Sequence, residues 1–330
     1  MTPTPIRRTA CAALFATALG ALAPVLTAHA QGYPAKPVQL VVPFPPGGAV
    51  DIVGRLISKK LGDQLGQPIV IENKGGAGTI VGASYVANAA ADGYTLLISS
   101  GSTFTVNPAL HAKLPYDPVK SYEPIGMVAR VPLILLANRD VPVNDLKQLI
   151  AGVQARPGTY VYGSFGSGTT GHFAAELVWS AIGVKLMHVP YKGSAPAMSD
   201  LMGGQIPFTI DTRGRGAAAA QVREDQGHRR HGRHARHAIA RRAHRGRKRL
   251  RRLCRGFLAG RGRAARPAVR AKARLQKALA DTMADAEIRS KLIASGLEPA
   301  YEPADAVARR IDEELPRMRA VAQSANIRAE

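Results

Sequence analysis

Residues 38–66 read VQLVVPFPPGGAVDIVGRLISKKLGDQLG, and this stretch decides the fold class. VQLVV is a buried-strand run, and Pro45, Pro46, Gly47 and Gly48 break it. Beyond the break Val50, Val53, Leu56 and Leu61 recur at helical spacing. Strand, glycine turn and helix make the repeating unit of an α/β protein. The unit returns as PIVIENK, GGAG and TIVGASYVANAA; as YTLLISS and GSTFTVNPAL; and as TYVYGSF, GSGTTG and HFAAELVWSAIG. A further unit runs from LMHVPYKG through SAPAMSDLMGG to QIPFTID. Repeated βα units predict mostly parallel sheets flanked by helices, with ligands taken at the carboxyl ends of the strands. A chain of this length exceeds one comfortable core, so two lobes are expected.

Those carboxyl ends share one chemistry. Pro45-Pro46-Gly47-Gly48, Gly166-Ser167-Gly168-Thr169-Thr170-Gly171 and Tyr191-Lys192-Gly193-Ser194 each place small residues where a strand meets a helix start. Glycine admits a ligand close to the backbone, and the unpaired N–H groups of a first helical turn favour an anion. Hydroxyls of Ser167, Thr169, Thr170 and Ser194 add polar partners. The pattern points to a clamp for carboxylate or phosphate; ordinary βα turns with Ser/Thr caps are the plainer alternative for any one loop. Asp51, one turn beyond Gly48, and Asp211, ending QIPFTID, are candidates for a ligand amine or hydroxyl.

Other chemistries lack their residues. Gly166–Gly171 matches G-x-G-x-x-G, but no acid stands some 20 residues on, where the chain reads VKLMHVPYKG. His172 occupies the place where a phosphate-binding loop needs lysine. His172 and His188 have no metal-ligand spacing and are assigned to capping or the core. No nucleophile elbow is present, so neither catalytic residue, metal nor cofactor is expected.

Arg7 and Arg8 precede an apolar run from Ala10 to Leu26, and Ala28-His29-Ala30 gives a small-x-small site. Residues 1–30 therefore read as a secretory leader cleaved near Ala30. Residues 213–274 are unlike everything around them. They hold 22 of the 45 Lys and Arg residues and two acids, Glu224 and Asp225, so nearly all of the formal +22 sits there. Clustered guanidinium groups suit a nucleic-acid arm, but the stretch has almost no aromatics to stack on bases and begins and ends abruptly. A slipped reading frame explains that better. Read one nucleotide later, Arg223–His231 is compatible with GKIKAIAV and Ile239–Leu250 with LPDVPTVAESGY, continuing the style of the flanks.

Five segments, VVPFPPGGAVDIVGRLI, ENKGGAGTIVGASYVANAAADGYTLL, NPALHAKLPYDPVKSYEPIG, YGSFGSGTTGHFAAELV and HVPYKGSAPAMSDLMGGQI, together resemble the Bug-type periplasmic substrate-binding proteins of tripartite tricarboxylate transporters. The likeness runs from about Tyr33 to Asp211 and resumes at LQKALADTMADAEIRSKLIASGLEPA. It implies a two-lobed venus-flytrap fold of type II. Lobe 1 would take residues 31–130 and 275–330 and lobe 2 residues 131–212, with 213–274 aberrant in place of the hinge return. It also implies a periplasmic monomer that binds a di- or tricarboxylate or related organic acid, serves membrane permease subunits and has no specific nucleic-acid partner. Carried onto this chain, the ligand contacts are Phe44, Pro45, Gly47, Gly48 and Asp51 from one lobe, with Ser100 and Ser102. From the other come Ser164, Gly168, Thr169, Thr170, Gly171, Tyr191, Gly193 and Asp211.

Overall fold

The computed structural model describes residues 32–214, 255–261 and 266–328. The expected leader and most of the Arg-rich stretch lie outside them. Strand β1 (Val38–Val42) is followed by helix α1 (Ala49–Leu65), strand β2 (Ile69–Asn73), helix α2 (Ile80–Asn88) and strand β3 (Thr95–Ser99). β1 pairs in parallel with both β2 and β3, Leu40 lying opposite Ile71 on one side and Leu96 on the other. Val38, Leu40, Val41 and Val42 are fully buried. That explains the unbroken apolar run: a parallel strand covered on both faces has no solvent side to alternate with. Gly54 brings α1 onto the sheet, where a Cβ would stand 3.6 Å from Ile98 and Val42.

After β3 the expected strand-helix unit is modified. Ser102–Val106 form a π-helical turn that runs into the short helix α3 (Asn107–Leu110), and all five residues of the turn are buried. Such turns widen the helix by one residue and often sit at functional sites. Strand β4 (Tyr122–Arg130) then leads through Val131 and Pro132 into the second lobe.

That lobe contains β5 (Leu133–Ala137), α4 (Leu146–Ala155), β6 (Val161–Ser164), α5 (Thr170–Ala181), β7 (Met187–Pro190), α6 (Ser194–Gly203) and β8 (Phe208–Thr212). Its sheet has the order β5-β8-β6-β7, with β6 parallel to β7 and β8, and β5 antiparallel to β8. Tyr162, Phe173, Trp179 and Phe208 fill its core. Each fully buried ring removes enough apolar surface to contribute roughly 2–3 kcal/mol.

The first lobe is completed by β9 (Arg255–Arg261), α7 (Arg266–Ala284), α8 (Ala286–Ala294), β10 (Glu298–Pro303) and α9 (Ala304–Ser324). Its sheet order is β10-β4-β9-β3-β1-β2. β9 is antiparallel to both β3 and β4, and β10 antiparallel to β4. β1 to β4 thus share one direction, and β9 and β10 oppose it. The backbone of the Arg-rich stretch therefore supplies an interior strand. The two lobe crossings lie side by side, since the Arg213 N–H donates to the Pro132 carbonyl at 2.9 Å.

Candidate functional site

The carboxyl ends of the two sheets face a cleft. From lobe 1 come Phe44, Pro45, Pro46, Gly48, Ala49 and Val50, with Ser100 after β3. Val131, Leu133 and Thr212 lie at the crossings, and Phe165, Thr170 and Lys192 to Pro196 come from lobe 2. Three strand-to-helix loops thus meet, as the glycine pattern predicts.

The loop after β1 is organised by Asp51. This carboxylate is 1 % exposed. Its Oδ2 accepts from the Gly47 N–H at 2.8 Å and from Arg55 Nε at 2.9 Å, and its Oδ1 accepts from Asn73 Nδ2 at 2.9 Å. Asn73 Nδ2 also donates to the Phe44 carbonyl at 3.1 Å. Burial alone would raise the Asp51 pKa, but hydrogen bonds from Arg55, Gly47 and Asn73 outweigh it and hold the carboxyl below its usual range. Asp51 therefore shapes the turn from beneath rather than presenting its oxygens to the cleft.

Hydroxyl and imidazole groups organise the loop after β6. Ser164 Oγ lies 2.8 Å from His188 Nε2, and the His188 ring stacks on His172 with centroids 4.2 Å apart. The Gly168 N–H donates to His172 Nδ1 at 3.3 Å. Thr169 caps α5, its Oγ1 accepting from the His172 N–H at 3.4 Å and donating to the Gly166 carbonyl at 2.6 Å. Phe165 rests on the first turn of α5, where a Cβ on Gly171 would meet its ring at 2.5 Å. The histidines thus hold the loop, in line with the capping or core role expected for them.

In the loop after β7, the Tyr191 hydroxyl donates to Asp200 at 2.7 Å, and burial followed by that carboxylate pushes its pKa up to about 12. Gly193 opens α6 with φ 112°, and Pro45 Cγ of the other lobe lies 3.1 Å from where its Cβ would be. Ser194 Oγ donates to Asp211 Oδ1 at 2.8 Å. Asp211 is fully buried behind the lining, while its neighbour Thr212 faces the cleft.

The lobes also touch directly elsewhere. The Thr170 N–H, in the first turn of α5, donates to Ser102 Oγ at 3.0 Å. Gly78, at φ 59°, comes so near lobe 2 that a Cβ would stand 2.3 Å from the Ser167 carbonyl oxygen. The structure describes a closed cleft.

Of the residues singled out from sequence, Phe44, Pro45, Pro46, Gly48, Ser100, Thr170, Lys192, Gly193 and Ser194 line the cleft. Gly47, Asp51, Ser102, Ser164, Gly168, Thr169, Gly171, Tyr191 and Asp211 sit in or beside the loops and strand ends that carry this lining. Val131, Leu133, Phe165 and Thr212 were not singled out, because isolated apolar residues and a threonine at strand ends carry no local signal. For Thr212 strand alternation was the available clue, since it projects opposite to Asp211. No group of described residues has the make-up of a metal site.

A two-lobed α/β fold closed over a cleft of strand-to-helix loops defines the periplasmic-binding-protein class. The family model described as tripartite tricarboxylate transporter family receptor matches residues 53–327, and the chain belongs to that family. Protein BugT of Bordetella pertussis (strain Tohama I) is 41 % identical over 199 residues, which is 60 % of each chain. The chain thus spans about three fifths of that curated relative's length. R. palustris Rpa4515 with adipate superposes with a TM-score of 0.78 at 29 % identity, over 89 % of this chain and 98 % of that one. MatC from Rhodopseudomonas palustris with bound malate gives 0.73 at 27 % identity, over 88 % and 99 %. These relatives are solute-binding proteins, not enzymes. No described helix is long and apolar enough to cross a membrane.

Proposed function

We propose that this chain is an exported receptor that captures a small organic carboxylate in the cleft and presents it to the permease of a tripartite tricarboxylate-type transporter. The observation that carries the reading is the meeting of three strand-to-helix loops, 43–48, 165–170 and 192–196, in one closed cleft. The adipate and malate held by solved relatives support a carboxylate. Capture works by closure: the solute stabilises the closed state through contacts it lacks when the lobes are apart. The receptor acts in the periplasm as a monomer after loss of residues 1–30, needs no cofactor or metal, and releases the solute unchanged. Thermal melting and titration calorimetry with millimolar adipate and malate test the reading. A raised melting temperature with saturable binding is expected; a transition that no carboxylate moves would sink it.

We infer further that the Arg-rich stretch is a one-nucleotide reading slip and that it weakens this copy. The abrupt charge step supports this, as does the contrast between curated relatives matching about 60 % of the chain and solved structures covering about 90 %. Resequencing codons 205–280 tests the slip. A chain carrying the shifted reading is expected to melt ~5 °C or more above the chain as written. One uncompensated buried ion costs several kcal/mol, and each kcal/mol is worth about 2–4 °C in a protein of this size. Equal melting of the two chains would remove the inference.

A further inference from the structure

The lobe 1 loop that meets Ser167 is held in a shape that most residues avoid. Ala77, Gly78 and Thr79 have φ of 44°, 59° and 91°, and two of the three carry a Cβ. For a β-branched threonine a positive φ is a genuine outlier, and such strain persists only where the surroundings impose it. Here they are the buried face of the π-helical turn and the start of α3. Asn107 Nδ2 donates to the Gly78 carbonyl at 2.7 Å and to Thr79 Oγ1 at 3.2 Å. Thr79 Oγ1 lies 2.8 Å from Thr103 Oγ1, which lies 2.6 Å from Ser99 Oγ. All four side chains belong to buried residues.

Asn107 also faces the other lobe. The Gly78 carbonyl can only accept, so it must meet the amide nitrogen, and this turns Asn107 Oδ1 the other way. A Cβ on Gly168 of lobe 2 would stand 2.5 Å from that oxygen, which makes no hydrogen bond among the described residues. One side chain thus holds a strained loop in its own lobe and offers the surface on which lobe 2 sets down Gly168. Ser102, in the same turn, takes the Thr170 N–H. Asn107 itself lies off the cleft lining.

We propose that Asn107 is a positioning residue for closure. It keeps Gly78 and Thr79 in the shape that meets lobe 2 and packs against bare Gly168 once the lobes come together, without touching the solute. This rests on the receptor reading and adds to it the side chain that sets where the lobes stop.

A double-mutant cycle between Asn107→Ala and Gly168→Ala tests this in the full chain, read by calorimetry with adipate and malate and by melting without solute. Gly168→Ala is expected to weaken the acids by about thirtyfold, because its methyl group overlaps Asn107 Oδ1. In the Asn107→Ala background the same change should cost about threefold or less. The strain of an alanine at φ 69° is common to both backgrounds and drops out. Without solute the lobes part, so the two melting shifts should add. Hydrogen exchange gives a reading that needs no solute. The Thr79 N–H donates to the Gly76 carbonyl at 3.0 Å, and Asn107→Ala should speed its exchange about tenfold or more while Leu40 and Leu97 in the sheet keep their rates. Asn107→Ser takes the place of Asn107→Ala if circular dichroism shows that the latter does not fold. An equal loss from Gly168→Ala in both backgrounds would overturn the contact across the cleft. Coupling of the same size in the melting of the unliganded protein would overturn the role in closure. Unchanged exchange at Thr79 would overturn the hold on the loop. If neither acid binds the unaltered chain, the receptor reading fails, and the exchange rates still decide the hold on the loop.

Discussion

In lobe 1 the loop that meets the ligand space is pinned by charge, whereas its counterpart in lobe 2 is pinned by hydroxyls and imidazoles. After β1, the Asp51 carboxylate gathers Gly47, Arg55 and Asn73 around it. After β6, Ser164, Thr169, His172 and His188 hold one another and the backbone of Gly166 and Gly168. Both devices present the start of a helix to the same cleft, so the geometry is shared while the chemistry behind it is not. What differs is the response to substitution: the lobe 1 loop depends on one buried, ionised carboxylate, and the lobe 2 loop on several weaker bonds among hydroxyls, imidazoles and backbone.

The comparison breaks most sharply where the lobes meet. Gly78→Val places a side chain where even a Cβ would stand 2.3 Å from the Ser167 carbonyl oxygen, and the residue sits at φ 59°. It is expected to prop the cleft open and to lower ligand affinity by about a hundredfold or more, because the closed state carries the contacts. Small-angle scattering should show a larger radius in the presence of ligand, and unchanged affinity would disprove closure at this point.

Asp51→Ala comes next. It leaves the Asn73 amide, the Gly47 N–H and a half-exposed Arg55 without their acceptor, and about 2–3 kcal/mol of stability should be lost by urea unfolding. The pH dependence carries the sign. The folded pKa of Asp51 lies below the unfolded value, so its contribution is complete above the ordinary aspartate range and disappears as pH falls through the folded pKa. Asp51→Asn should therefore flatten the acid limb of the stability profile. No neutral substitution in the lobe 2 cap, such as Thr169→Ser, should do so.

The smallest effect belongs to Ser102→Ala. Removing the acceptor of the Thr170 N–H is expected to cost about 0.5–1.5 kcal/mol. If the bond acts across the cleft, the loss should fall on ligand affinity more than on the melting of the unliganded protein.

Much of the scaffold was legible in the chain. VQLVV announced a doubly covered strand, and three of the glycine breaks between strand and helix marked loops that reach the cleft. The loops were local signals, so Phe44, Pro45, Gly48, Thr170 and Gly193 were within reach of a reading by pattern. Asp211 and Thr212 show where pattern stops. Both end the same strand, and which of the two faces the ligand space depends on which side of the sheet the second lobe turns toward the first. Asp51 shows the same limit, because its first-turn position is compatible with ligand contact or loop support until Asn73, 22 residues on, is brought beside it.

By itself the sequence determined the α/β class, the order of the units and three of the loops that reach the cleft, since these follow from periodicity and from glycine, which act over a few residues. The tertiary structure decided which side chains form the lining and the contacts of Ser102 and Gly78 with the opposite lobe. Those depend on groups far apart in the chain arriving within a few ångströms, and nothing in their immediate neighbours records that they will.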